Sequence, residues 1–277
     1  MQKTIYILLF TLIGNLCFGQ NIKPIDLAKK LLNKEVFENL EKYSTGEFKG
    51  HPNGQDLSEN VKLNFRLLNQ SENTAVVNIT IKDSIGKGFD AYLHFKKDSI
   101  WKINAFRALA MTGILEQIKN EFEKMSESEI DSLIISEKDS EHKMFETKDD
   151  FQFQLENIKL TLEFDDNIIN HFKENQMEFE RLKDLALKEL ETKKKDDERS
   201  SKLLGDLNSE YKKILISSIS TGGYQLGNCI EFLIGGMVDN TVGYFYLKEE
   251  QDLPKMNPSR IIMIRKIGNG WYMYKTT

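Results

Sequence analysis

Asp90, Tyr92 and His94 alternate along "FDAYLHF", so a β-strand would set all three on one face. An imidazole beside a carboxylate and a phenol is a workable acid/base set, and these three are the catalytic candidates. The same residues also suit the wet side of an amphipathic strand, or a face packed beneath a helix. A second group, Tyr244, Tyr246, Trp271, Tyr272 and Tyr274, is the binding candidate. If the rows that carry it adjoin, a tyrosine-rich sheet face would suit a glycan, a peptide or another protein. Cross-strand aromatic packing is the competing explanation.

Other chemistry is poorly served. "IGGMVDNT" joins a strand to a strand, whereas an anion-binding glycine loop must feed a helix N-terminus. Gly235 and Gly236 therefore read as a bulge, with Asp239 and Asn240 as turn residues. "STGGYQLG", Ser220 to Gly227, reads as a loop. His171 lies in line with Asn175 and Glu178, but no second histidine stands at metal-ligand spacing. His51 and His142 lie in polar, loop-like contexts. Cys229 sits in an apolar strand, and no G-x-S-x-G occurs. No metal and no cofactor is expected.

The elements that must hold these residues follow from hydrophobic period. From Pro24, apolar residues at Ala28, Leu32, Val36, Leu40 and Tyr43 repeat at helical spacing, with Pro24 and Asp26 suited to a first turn; "NKE" at Asn33 leaves one helix or two short ones open. Four period-two runs follow: Val61 to Leu67, Ala75 to Ile81, Phe89 to Phe95 and Trp101 to Ala105. In the third, Phe89, Ala91, Leu93 and Phe95 form the core row. Clean alternation predicts antiparallel strands with one wet face, and the short polar links suit hairpins. A helix then carries Ile114, Ile118, Phe122 and Met125. The polar stretch after it holds capping-box spacing at Ser126 and Glu129.

The second half opens with one long amphipathic helix striped by Ile168, Phe172, Phe179, Leu182, Leu185 and Ala186. Strands are predicted at Ile214 to Ile219, Cys229 to Ile234, Val242 to Leu247, Ile261 to Ile267 and Trp271 to Thr276. "GNG" at Gly268 to Gly270 is a hairpin turn. The expected class is α+β, with two modules, each a helix packed on a curved antiparallel sheet. They occupy residues 20–139 and 151–277, joined by a linker at 140–150.

Pro24 to Ser44, with the strands ending in "AYLHFKKDSIWKINAF", resembles the cystatin-like and nuclear-transport-factor-2-like folds. That resemblance implies helices on a curved sheet that can enclose a pocket. Ile234 to Thr277 resembles a group of bacterial proteins with the pattern "IGGM-DN-VGY … P-M-P … IGNGWY-YKTT", which has no established activity.

Residues 1–19 of "MQKTIYILLFTLIGNLCFGQN" carry Lys3 and an apolar run from Ile5 to Ile13, the signature of a secretory signal peptide cut after Gly19. Cys17 follows Leu16, whereas a lipid-acceptor cysteine follows a small residue. Simple cleavage and release to the periplasm or the exterior are expected. Losing Lys3 moves the formal net charge from −5 to −6. A mildly acidic chain with mixed charge lacks the cationic face that nucleic acid requires. No later run is long enough to span a bilayer. With Cys229 alone remaining, no intramolecular disulfide can form. The function expected is a non-enzymatic ligand- or protein-binding pair of modules with a protein, peptide or glycan partner. An envelope enzyme built around His94 and an inhibitor of a secreted enzyme or toxin are the alternatives.

Overall fold

The computed structural model describes residues 22–136, 145–192, 201–222 and 226–277. The leader, His142 and Gly223 to Gln225 lie outside the described residues. The architecture is α+β, with two antiparallel sheets. After helix α1 (Pro24–Leu31) come strands β1 (Lys62–Gln70), β2 (Thr74–Lys82), β3 (Gly88–Lys97) and β4 (Trp101–Ala108), hydrogen-bonded in sequence order. Helices α2 (Thr112–Phe122), α3 (Glu127–Ser136), α4 (Lys148–Thr161), α5 (Asp165–Glu174) and α6 (Gln176–Thr192) follow. The remainder is β5 (Lys202–Leu203), a short helix α7 (Asn208–Tyr211), β6 (Ser218–Thr221), β7 (Ile230–Met237), β8 (Asn240–Tyr246), β9 (Ile261–Gly268) and β10 (Trp271–Thr276). The second sheet has the order β5-β6-β7-β8-β10-β9. No helix among the described residues is long and apolar enough to cross a membrane.

Two compact units share the chain. One holds the described residues up to Glu59 with Phe65–Val77 and Leu93–Phe106. The other holds Asn60–Asn64, Asn78–Tyr92 and Arg107–Thr277. The divisions fall within β1 to β4, so Asp90 and Tyr92 belong to one unit and His94 to the other.

Several local expectations change once tertiary partners are present. β2 and β3 are buried on both faces along most of their length, so neither keeps the wet face predicted from alternation. On β3, Ala91, Leu93 and Phe95 are core, whereas Phe89, beside the hairpin turn, is 48% exposed. The single long helix is two, broken at Asn175. Its backbone leaves helical geometry (φ −107°, ψ 17°), and its side-chain amide donates back to His171 O at 2.9 Å. Of the expected linker 140–150, the last three residues open α4, where Thr147 Oγ1 accepts from Asp150 N at 3.1 Å as an N-cap. Phe151, Leu155 and Ile158 of α4 pack with Leu115 and Phe122 of α2, Ile130 of α3, and Phe145. The Ser126–Glu129 capping box forms: Ser126 N donates to Glu129 Oε2 at 2.7 Å, and Glu129 N to Ser126 Oγ at 3.4 Å.

In the second sheet, the strand expected at Ile214 to Ile219 begins only at Ser218, after a 3-10 turn at Lys212–Ile214. Asn269 and Gly270 form the β9–β10 turn with φ of 50° and 81°, as "GNG" requires. The β7–β8 turn falls at Val238 and Asp239, because Asn240 already pairs with Met237. The register shifts between Leu233 and Gly235, which is the expected bulge. A Cβ on Gly235 would lie 2.5 Å from Asn157 Oδ1 and 2.8 Å from Thr161 Oγ1. From α4, Asn157 Nδ2 donates to Ile234 O at 2.6 Å and Leu215 O at 2.9 Å. The glycine therefore lets a helix press polar side chains onto the bulged backbone.

Candidate functional site

Asp90 and Tyr92 do converge with other ionisable groups, but in a sealed interior. Asp165, the first residue of α5, and Lys275, near the end of β10, complete the cluster. All four are 5% exposed or less. Lys275 Nζ lies 2.7 Å from Asp165 Oδ1. Tyr92 Oη donates to Asp165 Oδ1 at 2.8 Å and Oδ2 at 3.0 Å. Asp90 Oδ2 accepts from Asp165 N at 2.7 Å, capping an otherwise orphaned donor at the start of α5. Its Oδ1 accepts from Thr80 Oγ1 at 2.6 Å and Asn78 Nδ2 at 3.0 Å.

Local sequence explains each placement. Period two on β3 puts Asp90 and Tyr92 on one side, and the N-terminus of α5 covers that side. Asp165 precedes Ile168 and Ile169 by three and four residues, so it shares the buried stripe of α5. Lys275 shares its strand face with the buried Trp271 and Met273. Burial pushes the Asp165 carboxyl above its ordinary value, with Lys275 opposing the rise and Asp90 adding to it. Burial, then the negative charges of Asp165 and Asp90, push the Tyr92 phenol well up. The arrangement excludes a diffusing substrate, since the groups that would do acid/base work are enclosed and committed to one another. His94 is likewise buried, at 4% exposure, and lies in the other unit.

The tyrosine-rich face is not a surface. Registering Trp271 with Tyr246 and Met273 with Tyr244 sets Tyr244, Tyr246 and Trp271 on one side of the sheet. Tyr272 and Tyr274, opposite Phe245 and Gly243, take the other side. Tyr244 and Trp271 pack with Phe172, Phe179 and Phe232 beneath α5 and α6. Tyr244 Oη donates to Ile168 O at 2.7 Å and Trp271 Nε1 to Glu180 Oε1 at 2.9 Å. On the far side Tyr272 stacks on Phe245 at 5.1 Å, and Tyr274 Oη donates to Glu231. Tyr246 is half-buried, with Lys183 Nζ 5.0 Å from its ring centroid. The aromatics are therefore cross-strand and helix–sheet core.

The remaining candidates are also structural. His171 Nε2 donates to Ile214 O at 3.0 Å. Cys229 is buried, and burial pushes its thiol well up, which disfavours the thiolate. Among the described residues, no three His, Cys, Asp or Glu side chains converge as metal ligands. His51 differs: it is exposed, its Nδ1 donates to Asp56 Oδ2 at 2.8 Å, and it lines an open recess of about 440 Å³ with Leu40, Ser44, Phe48 and Lys49. That hydrogen bond and one from Asn53 N hold the Asp56 carboxyl below its ordinary value.

Asp165 and Lys275 were missed by sequence reasoning. A lysine in phase with Trp271 and Met273, and an aspartate in phase with an apolar helix stripe, were the available signals. Fold and site together define an α+β protein whose best chemical candidates are interior framework. No protein-family model, curated protein or solved structure matches this chain.

Proposed function

We propose that this chain is an exported, non-enzymatic protein that holds a partner or small ligand. The observation that carries this reading is the enclosure of Asp90, Tyr92 and His94, which leaves the acid/base set with no route to substrate. The recess between Leu40 and Asn53 is our choice of contact surface. Its lining, which joins the apolar Leu40 and Phe48 to the polar Glu41, Lys49 and His51, suits a small polar-edged ligand or a protruding side chain. Export rests on the leader sequence, Lys3 followed by the Ile5 to Ile13 run.

The test pairs a broad hydrolase panel with capture from a cell-envelope extract. The expected result is no turnover, and a stoichiometric partner that is retained by the intact chain and lost with His51→Ala or Lys49→Glu. Turnover abolished by His94→Ala would refute the reading and restore the enzyme alternative.

A further inference from the structure

The Lys275–Asp165 pair has the makings of a covalent bond. Both groups are almost wholly withdrawn from water, at 4% and 1% side-chain exposure, and Lys275 Nζ stands 2.7 Å from Asp165 Oδ1. The nitrogen is thus held by an ion pair against one oxygen of the carboxyl group whose carbon it would attack, which supplies proximity for a bond between the two side chains. We propose that Lys275 and Asp165 condense to a side-chain amide, tying the last strand to the first residue of α5.

The reaction balances without a co-reactant. In the dry interior a proton passes from the ammonium to the carboxylate, giving an amine and a carboxylic acid. Burial and the nearby Asp90 carboxylate favour this neutral form of Asp165. The nitrogen lone pair then attacks Cγ. One carboxyl oxygen stays as the amide carbonyl; the other leaves as water, carrying the two protons that the ammonium gives up. Nothing is oxidised or reduced.

Each neighbour has a role in this chemistry. Tyr92 Oη donates to both Asp165 oxygens, at 2.8 and 3.0 Å, so it is placed to stabilise the oxyanion of the tetrahedral intermediate. Asp90 is a positioning residue: it grips Asp165 N at 2.7 Å and is itself held by Thr80 and Asn78. The equilibrium also favours condensation. In water the separated ions are strongly solvated and the amide is disfavoured. In this interior the ions forfeit that solvation, while the product is neutral and its water leaves. With Cys229 the sole cysteine beyond Cys17, a Lys–Asp bond would supply a cross-link that a disulfide cannot.

Tryptic peptides of the purified, denatured full chain decide the matter. Whole mass alone is insufficient, because an N-terminal glutamine left by cleavage after Gly19 can itself lose ammonia. The expected product is Leu160 to Lys173 joined to Ile267 to Thr277, lighter than their sum by one water, with fragment ions placing the link at Asp165 and not Asp166. Trypsin should fail to cut after Lys275. Recovery of unlinked Leu160 to Lys173 and Ile267 to Lys275 in full yield, from protein shown to be folded, overturns the proposal. Lys275→Arg provides the unlinked control. Tyr92→Phe should accumulate the link on the order of a hundredfold more slowly, the usual effect of removing one oxyanion donor. A rate equal to the parent's would remove Tyr92 from the mechanism.

Discussion

Replacing Asp90 with alanine tests whether a carboxylate on β3 holds the start of α5. The residue accepts three hydrogen bonds, and its loss affects them unequally. Asp165 N, fully buried at the helix start, loses its partner outright, which costs about 2 kcal/mol for a charge-assisted bond. Asn78 Nδ2 keeps a longer bond to Ala91 O at 3.4 Å, and the half-buried Thr80 can turn toward water. These two losses add about 0.5–1 kcal/mol each. Relief of repulsion between two buried carboxylates offsets roughly 1 kcal/mol. The net expectation is a loss of about 2–3 kcal/mol in urea unfolding followed by circular dichroism. Asp90→Asn should cost less, about 1–2 kcal/mol, because its amide oxygen still accepts from Asp165 N and Thr80 rotates to accept from the new amide, while Asn78 Nδ2, now facing a second donor, keeps only its longer bond to Ala91 O. These hydrogen bonds stand whether Lys275 and Asp165 are ionic or covalently joined; in the joined form the carboxylate repulsion is absent and the expected cost rises to about 3–4 kcal/mol. An alanine cost below about 1 kcal/mol, or equal costs for the two variants, would refute the capping argument.

Three further outcomes follow from other parts of the structure. Gly243→Ala should destabilise by about 2 kcal/mol or more, read as a lower Tm, since its Cβ would sit 2.6 Å from Phe232 O and 2.8 Å from Tyr274 Cε1. Burial raises the Glu231 carboxyl above its ordinary 4.5, with Tyr274 and Ser220 opposing the rise. A raised folded value means its stabilising contribution is full below about 4.5 and declines as pH climbs through the folded value. Glu231→Gln should therefore flatten the loss of stability between acid and neutral pH, as measured by thermal unfolding across pH. Cys229 should resist a disulfide-exchange reagent in the native protein at mildly alkaline pH and react fully in urea, because burial both shields its thiol and raises its pKa.

What the sequence revealed, and what it withheld, tracks the range of the interactions. Features decided by a few neighbouring residues were legible: the α1 start at Pro24, the "GNG" turn, the Ser126 capping box and the bulge at the double glycine. The strands of the first sheet were legible too, since alternation reports them before any partner arrives. Their environment was not. Asp90 and Tyr92 look like a wet face because they are polar; they are buried because α5, more than 70 residues downstream, lays Asp165 against them. The break at Asn175 was hidden by an apolar stripe that runs through it without losing phase. α4 was under-read for a different reason: its first three residues were placed in the linker, and Phe151, Leu155 and Ile158, which carry helical spacing, were given no element between that linker and the long helix.

The same distinction explains why the chemistry-bearing residues proved interior. A polar residue on a strand is ambiguous between solvent and satisfied burial, and only its partners resolve the ambiguity. Here each partner is itself in phase with an apolar stripe: Asp165 with Ile168 and Ile169, Lys275 with Trp271 and Met273. A charge held in phase with a core stripe must be matched inside the core, because an unmatched one would cost several kcal/mol. Two such charges of opposite sign on elements more than 100 residues apart are best explained as matching each other, and the 2.7 Å contact between them bears this out. Lys275 and Asp165 thus predict their own pairing; Tyr92 adds hydrogen bonds to the Asp165 carboxyl, and Asp90 caps the start of α5 while placing a second carboxylate beside it.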